Sequence, residues 1–130
     1  MIVVDASALI EWLLGTPSGT AVAERLFAPG QSIYAPELVY VEVVHGLRRM
    51  VRAQALPVLR AEANIDDLLD LEINQFPHML VLRRVWELRD ILSAYDALYV
   101  CIAETLEAPL ITCDRRLASA HGHFAQIEVF

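Results

Sequence analysis

Ser93-Ala94-Tyr95-Asp96-Ala97-Leu98-Tyr99-Val100, read on to Leu110-Ile111-Thr112-Cys113-Asp114, is the stretch on which the fold turns. Ser93 suits a helix N-cap. From Tyr95 to about Leu106 the chain is apolar almost all round, as a buried helix is. Pro109 to Thr112 then reads as a short apolar strand, with an acid directly behind it. The same signature opens the chain: Ile2-Val3-Val4 is a continuous apolar run of the kind buried on both faces of a parallel sheet, and Asp5 follows it.

Outward from these two points, strands and helices alternate. Ala6 to Leu14 has Leu9, Ile10, Leu13 and Leu14 at helical spacing, ended by Gly15 and Pro17. Thr20 to Phe27 reads as a second short helix with Val22 and Leu26 inward, and Ser32-Ile33-Tyr34 as a brief strand. Pro36 and Glu37 suit the first turn of a helix to about Met50, whose apolar set of Leu38, Val41, Val44 and Leu47 predicts heavy burial. Arg48, Arg49 and Arg52 gather near its carboxyl end, where the helix dipole favours cations. Gln54 to Ile73 carries a further helical pattern through Leu59, Ala63, Leu68 and Leu69. Phe76-Pro77-His78 breaks it, and Val81, Val85, Leu88 and Leu92 restart a helical face. Arg115 to Ala120 predicts a short helix and Gln126 to Phe130 a last strand. This alternation predicts one α/β domain over residues 1–130 with a mostly parallel central sheet.

Composition narrows the function. At 130 residues the chain suits one domain with a real core, and its 56% hydrophobic content predicts a well-filled interior plus an apolar face for a partner. No run approaches the roughly 20 apolar residues of a membrane span. The start, Met1-Ile2-Val3-Val4-Asp5, has no basic leader, and Cys101 and Cys113 sit in apolar stretches, so a reduced, cytoplasmic protein is expected. The net charge of −7 argues against a general nucleic-acid-coating protein. All ten basic residues are Arg and none is Lys. Arg suits bidentate contact with phosphate or carboxylate, and the absence of Lys counts against a phospho-accepting receiver domain.

Four acids stand out: Asp5, Glu42, Asp96 and Asp114. Three have simple structural explanations. Asp5 and Asp114 could each cap the helix that follows, and Ser93-x-x-Asp96 matches a capping box. Glu42 is harder to explain, lying in mid-helix among Val39, Val41, Val43 and Val44, although a solvent-facing stripe shared with Arg49 and Arg52 would accommodate it. Residues just past the carboxyl ends of parallel strands share one edge, where ligands bind. Asp5 and Asp114 fall there, and Asp96 can approach it. Crowded carboxylates raise one another's pKa, and hard oxygen donors call for Mg²⁺ or Mn²⁺. Ser7 and Thr112 could hold the acids or a water in place. His121-x-His123 lies in a polar loop without zinc-like neighbours, and His45 has an ordinary surface or core explanation. No phosphate-cradling Gly loop or nucleophile elbow is present.

Ile2-Val3-Val4-Asp5-Ala6-Ser7-Ala8-Leu9, Val41-Glu42-Val43, Ala94-Tyr95-Asp96-Ala97-Leu98-Tyr99-Val100 and Leu110-Ile111-Thr112-Cys113-Asp114-Arg115-Arg116-Leu117 resemble the successive motifs of the PIN domain. In detail they resemble VapC-type toxins of bacterial type II toxin–antitoxin pairs, and Trp86-Glu87-Leu88-Arg89 fits a mycobacterial-like branch. The resemblance implies a three-layer α/β/α fold and a magnesium-dependent endoribonuclease that cleaves structured cellular RNA of the tRNA or rRNA class. It implies Asp5 and Asp96 as primary metal ligands, with Glu42 and Asp114 positioning water or a second ion, and Arg115 and Arg116 as candidates to touch RNA phosphates. It also implies a homodimer and an antitoxin that blocks the site, with DNA reached only through that antitoxin. Where some members carry a further acid after the third motif, this chain has Tyr99. The alternative is a catalytically inactive PIN-like module acting only through its antitoxin or operator complex.

Overall fold

The computed structural model describes residues 1–130. Five strands form one sheet: β1 (Ile2–Val4), β2 (Ile33–Pro36), β3 (Ile73–Phe76), β4 (Leu110–Thr112) and β5 (Ile127–Val129). Their order is β3-β2-β1-β4-β5 and every pairing is parallel. The expected mostly parallel sheet is therefore wholly parallel. Successive strand residues point to opposite faces. Ile2, Val3 and Val4 are all fully buried, as are Leu110, Ile111 and Thr112, so both faces of the sheet centre are covered. That is the three-layer arrangement.

The covering helices are α1 (Ala6–Leu14), α2 (Pro17–Leu26), α3 (Leu38–Arg52), α4 (Val58–Asp70), α5 (Leu82–Glu87), α6 (Ala94–Leu106) and α7 (Arg115–Ala118). Helix α1 packs against α2, α3 and α4, whereas α6 lies across β1, β2 and β4 with α5 against it. Residues 97–103 of α6 are buried without a break. An all-apolar helix seated on a sheet has that pattern.

Local chemistry explains the main departures from the sequence reading. Thr16 caps α2 by accepting from the Gly19 amide at 3.0 Å, so Pro17 opens this helix rather than only ending the one before it. Pro36 closes β2 and lies outside α3. In α3 the inward residues are Val39, Val43 and Leu47, while Val41 and Val44 are 66% and 41% exposed. In α4 the inward residues are Ala61, Asn64 and Leu68; Leu59 and Leu69 face outward. The helical pattern read as far as Ile73 stops at Asp70, and β3 follows as a half-exposed edge strand. Edge position explains its mixed Ile73-Asn74-Gln75-Phe76 composition, which carries no strong strand signal.

Candidate active site at the carboxyl edge of the sheet

From β1 the chain runs to β2 and β3 on one side, then returns to β4 and β5 on the other. The topological switch point therefore lies between β1 and β4, where connections leave in opposite directions and open a crevice. Asp5 follows β1 and Asp114 follows β4, so the fold puts both acids at that crevice.

Asp5 is the centre of a hydrogen-bonded set spanning the two strands. It caps α1, with Oδ1 accepting from the Ala8 amide at 2.9 Å and from the Ser7 hydroxyl at 2.7 Å. Its Oδ2 accepts from the Thr112 hydroxyl at 2.5 Å. The two hydroxyls lie 3.2 Å apart and each accepts an amide in turn, Ser7 from Cys113 and Thr112 from Asp114, both at 2.9 Å. Ser7 and Thr112 thus hold Asp5 in place and join β1 to β4. Asp5 is buried, and burial pushes its carboxyl above the usual range. The hydrogen bonds pull the other way, and the Asp114 charge adds to the rise.

Glu42 comes from the second turn of α3 and is half-buried. The Tyr99 hydroxyl of α6 donates to its Oε2. Burial raises the Glu42 carboxyl, and the charges of Asp5 and Asp96 raise it further, against the Tyr99 bond. Tyr99 itself is pushed up by burial and by Glu42. Asp96 sits in the first turn of α6, where Ser93 caps the helix by accepting from the Asp96 amide at 3.1 Å. Only this half of the capping box forms. The Asp96 carboxylate accepts no hydrogen bond and lines a shallow cleft of about 360 Å³ with Ser93, Leu117 and Arg116.

Asp114 caps α7 and is gripped by Arg116, with Nη2 to Oδ2 at 2.8 Å and Nε to Oδ1 at 3.2 Å. The Arg116 contact holds the Asp114 carboxyl below its usual value. Arg116 is therefore engaged with an acid of its own chain. Arg115 is exposed and has no acidic partner.

All four acids named from the sequence thus reach one end of the sheet, close enough for their charges to act on one another. They do not form a closed ligand shell, since no three acidic, Cys or His side chains converge as a set that could hold an ion. The caps read for Asp5 and Asp114 are real, yet capping uses one oxygen of each. The donor chemistry still fits a hard cation: carboxylate oxygens, two of them on groups pushed up by burial and mutual repulsion, and one with no hydrogen bond. Such an arrangement can bring a cation and a phosphate ester together where acids alone would repel the ester. The sequence reading missed Tyr99 as a site residue. Its signal was position, three residues after Asp96 and so on the same helix face. His45 is exposed, His121 and His123 lie in the loop before β5, and none of them is hydrogen-bonded to or ion-paired with the four acids.

A PIN-domain family model matches residues 2–122. Ribonuclease VapC12 of Mycobacterium tuberculosis is 41% identical over 129 residues, covering 99% of this chain and 98% of that protein. Ribonuclease VapC1 of the same organism is 38% identical over 128 residues, 98% of this chain and 96% of that protein. Among solved structures, PAE2754 from Pyrobaculum aerophilum superposes with a TM-score of 0.72 at 24% identity, over 98% of this chain and 83% of that one. VapBC2 from Rickettsia felis, bound to a DNA fragment of its promoter, superposes with a TM-score of 0.70 at 18% identity, over 99% and 98% of the two chains.

Proposed function

We propose, from the premise that this chain belongs to the PIN-domain family and to its VapC branch, that it is a metal-dependent endoribonuclease acting as the toxin of a toxin–antitoxin pair. The observation that carries this reading is the buried Asp5 at the β1/β4 switch point, with Glu42, Asp96 and Asp114 around it. The substrate is structured RNA of the tRNA or rRNA class. Mg²⁺, with Mn²⁺ as the alternative, supplies charge neutralisation at the scissile phosphate and a more acidic water when bound. Asp5 and Asp96 would hold it.

The protein's own contribution is positioning. Ser7 and Thr112 fix both oxygens of Asp5 on the strand ends. Glu42, held by Tyr99, faces the same space and orients the attacking water, and Asp114 does so from the β4 side once Arg116 turns away. Exposed Arg115 is the better placed of the two arginines to meet a phosphate.

A cognate antitoxin covers this edge, and DNA is reached only through it; the likeness to VapBC2 of Rickettsia felis, a complex bound to a fragment of its promoter, supports that reading. A homodimer is supported by the exposed apolar run of Met79, Leu80, Leu82 and Trp86. No helix is long and apolar enough to cross a membrane, and we place the protein in the cytoplasm. The inactive-module alternative loses ground because the acid set is complete.

The test is RNA cleavage by purified protein, with 5′ ends mapped after brief expression. Activity should vanish with EDTA and in Asp5→Asn and Asp96→Asn, while both variants keep the wild-type circular dichroism. Cleavage that survives in either variant defeats the assignment.

A further inference from the structure

Ten arginines are the only fixed cations in a chain of net charge −7. Four have acidic partners: Arg25 with Glu128, Arg84 with Glu87 and Glu104, Arg89 with Asp90, and Arg116 with Asp114. Six remain, and three of these, Arg48, Arg49 and Arg52, stand together in the last turns of α3. All three are exposed and line a groove of about 640 Å³. Ile10 of α1 and Met50 and Ala55 contribute apolar wall. Gly46 admits Ile10 here, because a Cβ at Gly46 would meet the Ile10 Cδ1 at 2.5 Å. The helix dipole accounts for cations near this end of α3. It does not account for three guanidinium groups around one groove without a counter-charge, in a protein otherwise rich in acids.

The position of the groove relative to the acids is informative. At 100° per residue, Arg49, seven residues beyond Glu42, falls within about 20° of it, and Arg52 and Arg48 lie about 80° and about 120° from it round the exposed side. A rise of 1.5 Å per residue puts Arg49 and Arg52 about 10 and 15 Å along the helix from Glu42. The exposed side of α3 therefore leads from the acidic cluster to three free arginines, Arg49 in line with Glu42 and Arg52 and Arg48 fanned out beside it.

We propose that this side of the helix is a track for the substrate: the strand flanking the scissile bond runs along α3, and its phosphates, a few nucleotides away, are gripped by Arg49, Arg52 and Arg48. The inference rests on the ribonuclease reading above. Guanidinium groups match phosphate geometry bidentately. A phosphate backbone approaching a surface of net negative charge needs local cations to hold it, and beside the acidic cluster Arg115 alone is without an acidic partner. The groove has no aromatic side chain for base stacking, so it holds the backbone without reading sequence.

The test is fluorescence anisotropy of a short labelled single-stranded RNA of mixed sequence, in EDTA so that nothing is cut, over a series of salt concentrations. Wild type is compared with Arg49→Gln/Arg52→Gln and with the control Arg60→Gln/Arg83→Gln, which removes two other free arginines. The first pair should lower the slope of log K against log salt by about 1.4, at roughly 0.7 per phosphate contact with a single strand. It should weaken binding about tenfold at moderate salt, and raise KM for RNA cleavage while leaving kcat within about twofold. The control should change none of these. Equal slopes for wild type and the Arg49/Arg52 variant overturn the track. So does loss of binding to an acidic peptide with RNA binding intact, which would make the groove a protein-docking site. A wild type that neither binds nor cuts RNA sinks the ribonuclease reading itself, an outcome distinct from failure of the track alone.

Discussion

At the residue scale the site is a set of acids whose charge the fold tolerates through particular donors. Glu42 depends on one of them, the Tyr99 hydroxyl, while facing the charges of Asp5 and Asp96. Tyr99→Phe removes that donor and leaves a half-buried carboxylate uncompensated, so it should cost about 1–2 kcal/mol of stability. Glu42→Gln keeps an acceptor for Tyr99 and removes the repulsion, so it should be neutral or stabilising. In the Glu42→Gln background Tyr99→Phe should cost less, and a double-mutant cycle in urea measures the difference. Equal costs in both backgrounds would show that the phenol acts only as packing. The four acids were legible in the sequence by their placement together, since only Glu42 lacks a simple local explanation: two lie directly behind apolar strands, one in a buried helix's first turn, one among valines. Tyr99 was not, because its partner lies 57 residues away and only the shared sheet, with both α3 and α6 packed on β2, brings them together. The Ser7–Asp5–Thr112 set was half legible. The residues could be named from the sequence, but their shared geometry needs β1 and β4 to be neighbours.

At the element scale, two helix contacts decide how firmly the scaffold holds those acids. Helix α2 closes on α1 at Gly19, where an added Cβ would lie 1.9 Å from the Glu11 carbonyl oxygen. Backbone cannot yield as a side-chain tip can, so Gly19→Ala must push the helices apart. The expected loss is about 2 kcal/mol or more, read from denaturation midpoints. Helix α5 is tied to α6 by Arg84 and Glu104, Nε to Oε2 at 2.9 Å and Nη2 to Oε1 at 3.1 Å, and the Phe124 amide donates to the same carboxylate at 2.8 Å. Arg84 holds the Glu104 carboxyl below its usual value. A depressed folded-state pKa gives stability that is present above the unfolded value near 4.3 and is lost as pH falls through the folded one. Glu104→Gln should therefore cost about 1 kcal/mol near neutrality, with the gap to wild type closing as pH falls through the depressed folded-state value. A gap that persists in acid would mean the loss was packing. Element types were largely legible, their phases less so. Valine at 39, 41, 43 and 44 allows α3 two apolar faces, and burial of Val39 and Val43 against the interior selects the one the spacing did not favour. Edge strand β3 was lost to the helix before it because a half-exposed parallel edge needs no apolar run.

At the scale of the whole molecule, a parallel sheet aims the acids behind its strand ends at one edge, in a chain already carrying −7. The alternation of apolar runs and helices made this architecture legible. The strand order that makes β1/β4 the switch point was not, since order is set by crossovers and not by any residue. Crowding acids at one edge costs folding energy that a bound cation would return, and an ion that binds only the folded state stabilises it by RT ln(1 + [L]/Kd). Mg²⁺ should therefore raise the melting temperature in a saturating, concentration-dependent way. At a hundredfold excess over its Kd the gain is about 2.7 kcal/mol, or roughly 10 °C for a domain of this size. Matched ionic strength in NaCl should give little of this, because monovalent salt only screens. Asp5→Asn and Asp96→Asn should lose the Mg²⁺-specific part, and Asp66→Asn, an exposed acid on α4, should keep it. A shift that NaCl reproduces, or that survives in both site variants, would mean the four carboxylates repel one another without sharing a cation, and the edge of the sheet would need another chemistry.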